Sequence, residues 1–66
     1  MTLIINGENI EFSEHLSLQQ IIENLQIENK VMAAAVNMNI VKKDDWKNFV
    51  PNENDKIELL QFVGGG

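Results

Sequence analysis

The part of this sequence best suited to chemistry is its end, where three glycines, Gly64, Gly65 and Gly66, follow a strongly apolar run over residues 57–63. Glycine loses more conformational entropy on ordering than any other residue, so we expect the three to form a flexible tail. Extended from Phe62, this tail reaches roughly 13 Å beyond the domain. We therefore expect it to present the Gly66 carboxylate, ionised at neutral pH, to the active site of another protein. The alternatives are an unstructured end or a cloning remnant.

The rest of the sequence holds few reactive groups. It has no cysteine, which excludes disulfides, thiolate metal sites and thiol nucleophiles. The single histidine, His15, has no second histidine with which to share a zinc ion, and we expect it to be an exposed loop residue. Asp44 and Asp45 are typical of a solvated helix start, and Gly7, the only glycine before the tail, belongs to a hairpin rather than a phosphate-binding loop. We expect no metal site, no bound cofactor and no catalysis by this chain alone.

Composition narrows the range of partners and compartments. The 66 residues carry ten acidic residues against five lysines, with no arginine, for a net charge of −5. This charge disfavours nucleic acid and anionic membranes as partners. No apolar stretch approaches the roughly 20 residues of a membrane-spanning helix, and no signal-peptide pattern is present. We expect one cytoplasmic domain over residues 1–63, followed by the tail over residues 64–66.

The elements that must position the tail begin with a hairpin. Residues 2–5 and 9–12 are expected to form two short strands, with Leu3 and Ile5 on one face of the first and Ile10 and Phe12 on the same face of the second. Between them lies Asn6-Gly7, the commonest sequence of a two-residue type I′ turn, because both residues tolerate positive φ.

A helix follows the hairpin. Ser17 is a favourable N-cap, and Gln20 three residues later completes a capping box. The helix is expected to end near Gln26, and its buried stripe has the spacing i, i+3, i+4, i+7. That stripe consists of Leu18, Ile21, Ile22 and Leu25.

The second half of the chain supplies the remaining strands. Residues 31–36 and 40–41 are expected to form a strand and a short return strand, joined by a turn at Asn37-Met38-Asn39. Residues 43–48 are expected to form a helical turn whose Trp46 is a lid on the edge of the core, and residues 57–63 the last strand. One main helix must then cover one face of a single mixed sheet of four to five strands, which is an α+β roll. We expect the last strand to lie parallel to the first, so that the tail leaves from a central strand.

The last strand is apolar on both faces, which indicates a partner site. If the helix covers Ile57 and Leu59, their neighbours Leu60 and Phe62 point outward. Ile4 of the first strand joins them, with either Met32 or Ala34 of the third. An apolar patch on the open side of a half-covered sheet is typical of a docking surface. The alternatives are a sheet covered on both faces or a dimer. The predicted docking residues are Ile4, Met32, Leu60 and Phe62.

Several of these features together resemble the ThiS-type, ubiquitin-like sulfur carriers of thiamin biosynthesis. The resemblance runs along the whole chain and is clearest in the terminal glycines and in Trp46. Its other markers are Asn6-Gly7, Ala35-Val36-Asn37, Ile40-Val41, Asn54-Asp55-Lys56-Ile57-Glu58 and Phe62-Val63.

The resemblance implies a ubiquitin-like β-grasp fold and a defined chemistry. A ThiF-type adenylating enzyme would use ATP and Mg²⁺ to convert the Gly66 carboxylate to an acyl-adenylate, with Gly64 and Gly65 inside the enzyme's active site. A persulfide sulfur from a donor protein would displace AMP, and thiazole synthase would take its sulfur from the resulting thiocarboxylate. The alternatives are a molybdopterin-synthase small-subunit type of sulfur carrier, a ubiquitin-like protein modifier, and a plain interaction domain.

Overall fold

The elements of the fold follow the predicted order. The computed structural model describes residues 1–61, so the predicted tail residues Gly64, Gly65 and Gly66 and the predicted docking residue Phe62 lie outside the described residues. The strands are β1 (Thr2–Ile5), β2 (Glu8–Glu11), β3 (Val31–Val36), β4 (Asn39–Val41) and β5 (Lys56–Gln61), with the helix α1 (Leu18–Asn24) and a 3₁₀ turn (Lys43–Asp45).

The five strands form one sheet in the order β2-β1-β5-β3-β4. β1 and β5 are parallel, and every other neighbouring pair is antiparallel. The prediction that the last strand lies parallel to the first is therefore confirmed. β5, the strand before the predicted tail, is the central strand and has two strands on each side of it.

The first hairpin contains the predicted turn. Asn6 has φ 49° and Gly7 has φ 85°, the left-handed values that a type I′ turn requires at both positions. A two-residue loop pairs Ile5 with Glu8, so β2 begins one residue earlier than predicted. Phe12, predicted to end β2, lies just beyond it but remains buried.

The helix α1 begins as predicted and ends earlier. The Ser17 hydroxyl oxygen accepts a hydrogen bond from the Gln20 N–H at 3.1 Å, and the Gln20 Oε1 accepts one from the Ser17 N–H at 2.9 Å. This confirms the capping box. Gln26 adopts φ 61°, and the next N–H, that of Ile27, donates to the Ile22 carbonyl oxygen at 3.3 Å. This left-handed ending stops the helix before Gln26 although no glycine is present.

The third strand departs from simple alternation. Its pairing with β5 shifts between Val31 and Ala33, which makes a β-bulge at Met32. The following turn is formed by Asn37 and Met38 alone, with φ 50° and 71°, whereas the sequence predicts a three-residue turn that includes Asn39. Asn39 instead begins β4.

The core lies between α1 and one side of the sheet, here called the covered face. Trp46 is also part of this core rather than a lid at its edge: its side chain is 1% exposed, and its Nε1 donates to the Val41 carbonyl oxygen at 2.9 Å. No helix within residues 1–61 is long and apolar enough to cross a membrane. The strands contribute Leu3, Ile5, Val31, Ala34, Val36, Val41, Ile57 and Leu59 to the covered face, and α1 contributes Leu18, Ile21 and Ile22.

Candidate functional site

The side of the sheet opposite α1, here called the open face, is the candidate functional surface. Successive side chains of a strand point to opposite faces. On β5, Ile57 is fully buried and Leu59 is 6% exposed, whereas Leu60 is 62% exposed. Leu60 therefore lies on the open face, where alternation predicts it.

Two other predicted docking residues also lie on this face. Ile4 is half-buried and pairs with Lys56 of β5 on one side and with Asn9 of β2 on the other. Met32 is 60% exposed at the bulge, next to the pair formed by Ala33 and Leu60. A bulge sets two residues of one strand opposite a single residue of its partner, so Met32 and Ala33 both lie on the Leu60 side.

The alternative prediction for the third strand, that Ala34 lies on the open face, is wrong. Its side chain is 1% exposed and it pairs with the buried Leu59. Strict alternation would place Met32 and Ala34 on the same face. The extra residue of the bulge shifts the alternation by one position, so Met32 stays outside while Ala34 turns into the core.

Sequence reasoning missed part of the surface. Ile40 of β4 is 72% exposed and pairs with Ala35 of β3, and the small side chains of Ala33 and Ala35 leave a shallow depression between Ile40 and Leu60. The pairing follows from the two-residue turn, which fixes the register of β3 and β4. A prediction of that turn without Asn39 would have placed Ile40 on the open face.

Charged residues also lie within this surface. Lys56 and Glu58 alternate with the buried residues of β5 and so share the open face with Leu60. Met38, 87% exposed in the β3–β4 turn, lines a second depression with Ile4 and Lys56. Glu58 lines both depressions, so it lies between Leu60 and Ile40 on one side and Ile4 and Met38 on the other. Apolar and charged side chains together are the usual composition of a surface that contacts another protein transiently.

The open face and the predicted tail are joined by β5. Leu60 and Gln61 are its last residues, and residues 62–66 come directly after them in the sequence. A surface patch on the strand that leads to the tail would let a partner hold the body of the domain and the carboxylate at once. The roles of Phe62 and of Gly64, Gly65 and Gly66 lie outside the described residues and stay predictions.

The remaining candidates for chemistry in the described part of the chain are its histidine and its possible metal ligands. His15 is exposed before α1, as predicted. Within residues 1–61, no three histidine, cysteine, aspartate or glutamate side chains come close enough together to hold a metal ion.

Known proteins similar in sequence to this chain include sulfur carriers and a thiazole synthase. A family described as the ThiS family matches residues 3–66. A thiazole synthase of Paramagnetospirillum magneticum is 33% identical over 66 residues, and the chain spans 20% of that protein's length and is itself covered completely. The sulfur carrier protein ThiS of Bacillus subtilis is 29% identical over 65 residues, which cover 97% of this chain and 98% of the relative.

The fold has a solved counterpart. The crystal structure of a thiamine biosynthesis protein, ThiS, from Geobacter metallireducens matches with a TM-score of 0.81 at 23% identity, and the match covers 100% of both chains. The predicted ubiquitin-like β-grasp fold is confirmed: one mixed five-stranded sheet carries one helix on one face.

Proposed function

This chain belongs to the ThiS family of sulfur carriers, and from that premise we propose that it carries sulfur for thiamin biosynthesis as a thiocarboxylate on Gly66. The observation that carries the proposal is that the family match runs to residue 66 and so includes the terminal glycines. The absence of cysteine adds support, because no thiol in these 66 residues offers another place for sulfur.

The carboxylate must be activated before sulfur can be attached, because it is a poor electrophile. A ThiF-type adenylating enzyme would catalyse attack of the Gly66 carboxylate on ATP, with Mg²⁺ on the phosphates and pyrophosphate as the leaving group. The terminal sulfur of a donor protein's persulfide would then attack the carbonyl carbon, and AMP would leave. A partner thiol would cleave the remaining S–S bond, which leaves a thiocarboxylate on Gly66 and a disulfide on the partners.

In this scheme the chain is a co-substrate rather than an enzyme. Its own contribution is to deliver an unhindered carbonyl carbon, since Gly64, Gly65 and Gly66 have no side chains to block a narrow active site. ATP and Mg²⁺ would be bound by the adenylating enzyme. Adenylation, sulfur transfer and sulfur donation would all be catalysed by partner enzymes in the cytoplasm.

The open face would dock the body of the domain while the tail is in the partner's active site. Support comes from the exposure of Leu60 and Met32 beside the strand that leads to the tail. Ile40 lines the same depression as Leu60, Ile4 lines the second depression of this face, and Phe62 is the further docking residue predicted from the sequence. Binding through such a surface would use side-chain packing for affinity and leave the tail free to react.

Thiazole synthase is the proposed acceptor of the sulfur. The supporting observation is that a segment like this chain occurs within a longer polypeptide named thiazole synthase. Two domains joined in one polypeptide commonly serve consecutive steps of the same reaction sequence.

The experiment that tests the proposed function measures intact mass. The protein is incubated with a ThiF-type enzyme, ATP, Mg²⁺ and a persulfide source, beside a variant that lacks Gly66. We expect a mass gain of one oxygen-to-sulfur exchange in the full chain and none in the truncated one. An unchanged mass with an active control carrier would contradict the proposal.

The same sample separates the rival carriers and modifiers. Loss of the added sulfur when thiazole synthase and its other substrates are supplied supports the thiamin branch. A stable complex with the large subunit of molybdopterin synthase would favour the molybdopterin branch instead. An isopeptide bond to a lysine of another protein would indicate a modifier.

A further inference from the structure

The end of β5 depends on one side chain of the first hairpin. The parallel pairing of β1 with β5 stops at Ile5 and Ile57, because the chain turns away at Asn6. Its last backbone bonds on this side run from the Ile4 N–H to the Asp55 carbonyl oxygen at 3.0 Å and from the Asn6 N–H to the Ile57 carbonyl oxygen at 2.9 Å. β1 has no further residue to pair with the last four positions of β5.

The side chain of Asn6 continues this pairing. Its Oδ1 accepts a hydrogen bond from the Leu59 N–H at 2.8 Å, and its Nδ2 donates to the Leu59 carbonyl oxygen at 3.3 Å. In a regular parallel ladder the next two bonds would come from a backbone carbonyl at position 6 and an N–H at position 8. A side-chain amide has the same donor and acceptor as a peptide unit, so Asn6 replaces the missing one.

This contact lies close to the last described residue of β5. Leu59 is two residues before Gln61, the last residue of β5 and of the described part of the chain. On the other side, β3 pairs with β5 as far as Gln61: Ala34 lies opposite Leu59, and the pairing becomes irregular only beyond Ala33. The Asn6 amide is thus the contact from the β1 side that orients the end of β5 before the tail.

We propose that Asn6 is a positioning residue: its side-chain amide holds Leu59 and so sets the direction in which the chain leaves the sheet toward Gly66. This inference rests on the proposed function for its consequence in the reaction. An orientation fixed before docking raises the fraction of encounters in which the carboxylate reaches ATP. Its loss should therefore lower kcat of adenylation and leave KM, which reflects docking through the open face, nearly unchanged.

The chain provides a matched control at the other end of the same strand. Asn37 also has left-handed backbone in a hairpin turn, with φ 50°. Its Oδ1 accepts from the Lys56 N–H at 3.0 Å, and its Nδ2 donates to the Asp55 Oδ1 at 3.0 Å. Asn37 holds the start of β5, far along the strand from the tail.

The experiment compares Asn6→Gly with Asn37→Gly in the full 66-residue chain. Glycine accepts positive φ, so each substitution removes the amide and keeps the turn. Amide hydrogen exchange, read by NMR, should accelerate about tenfold at Leu59 in the first variant, the size expected for two lost hydrogen bonds. The second variant should show its acceleration at Lys56 and wild-type exchange at Leu59.

Steady-state adenylation by a ThiF-type enzyme supplies the second readout. We expect Asn6→Gly to lower kcat about fivefold with KM unchanged, and Asn37→Gly to leave both constants as in the wild type. Equal kcat in the two variants, or unchanged exchange at Leu59 in Asn6→Gly, would overturn the positioning role. A wild-type protein that is never adenylated would overturn the proposed function alone, and the exchange measurement would then decide whether Asn6 holds the strand end.

Discussion

On the covered face of the sheet Ile57 is fully buried and Leu59 is 6% exposed, whereas Leu60, the next residue of the same strand, is 62% exposed on the open face. The covered face gains its stability from α1, whose Leu18, Ile21 and Ile22 pack against the strands. No helix packs against the open face within residues 1–61. Burial on folding therefore explains the apolar residues of one face and not those of the other.

The difference shows how one strand can serve two purposes. Inward side chains of β5 hold the fold, because burying a large aliphatic side chain contributes about 1.5–3 kcal/mol. The outward apolar side chain described on this strand, Leu60, adds little to folding, and the proposed function gives it a role in contact with a partner. Substitutions on the two faces can test this separation of roles, first through the free energy of unfolding and then through partner binding.

The largest expected effect is on the covered face. Ile57→Ala should lower the free energy of unfolding by about 3 kcal/mol, since it leaves a cavity in a fully packed site. Leu60→Ala, on the same strand, should lower it by less than about 1 kcal/mol, because the side chain is mostly solvated. Urea denaturation of the two variants measures both values. Similar losses in the two would mean that the faces do not differ in their importance for folding.

A smaller effect is expected from a substitution on the open face, and it is an effect on the rate of sulfur loading. Leu60→Asp should slow thiocarboxylate formation about tenfold by placing a charge where an apolar side chain is proposed to pack against the partner. Its unfolding free energy should stay within about 1 kcal/mol of the wild type. The measurement is the initial rate of mass gain at limiting adenylating enzyme.

Val50→Asp is the matched control for that variant. Val50 is 51% exposed, and the preceding residue, Phe49, accepts the backbone hydrogen bond of Leu18 at the start of α1. The change in charge is the same, but the site lies away from the open face. A rate as low as that of Leu60→Asp would indicate a general effect of charge rather than a contact at Leu60.

The smallest expected effect concerns the turn that borders the open face. Met38 holds φ 71° with its side chain 87% exposed, a backbone conformation that glycine adopts with less strain. Met38→Gly should therefore raise the free energy of unfolding by about 0.5–1 kcal/mol. If it also slows sulfur loading, the Met38 side chain belongs to the docking surface. A lower free energy of unfolding would show that the methionine contributes packing that outweighs the strain.

Local signals in the sequence were sufficient for several parts of the fold. The Asn6-Gly7 turn and the Ser17–Gln20 capping box depend on residues within four positions of each other, and both are present. The alternation that places Leu60 and Ile57 on different faces of the sheet is a property of one extended strand. Such features could be predicted because their energetics do not depend on the rest of the chain.

Other features could not be predicted, because they depend on a neighbouring strand. The bulge at Met32 arises in the pairing of β3 with β5, and it alone decides that Ala34 is buried. The helix ends at a left-handed Gln26, for which the sequence carries no glycine signal. Ile40 joins the open face through its pairing with Ala35.

By itself, the sequence determined the chemistry that is available and the local elements. With no cysteine and one histidine, it excluded thiol chemistry and made a histidine pair impossible, and short-range turn and cap signals set the hairpin and the start of the helix. Only the tertiary structure decided which apolar side chains share the open face and how the end of β5 is held. The reason is physical: Asn6 and Leu59 are 53 residues apart in the chain, and only the order and register of the strands bring them together.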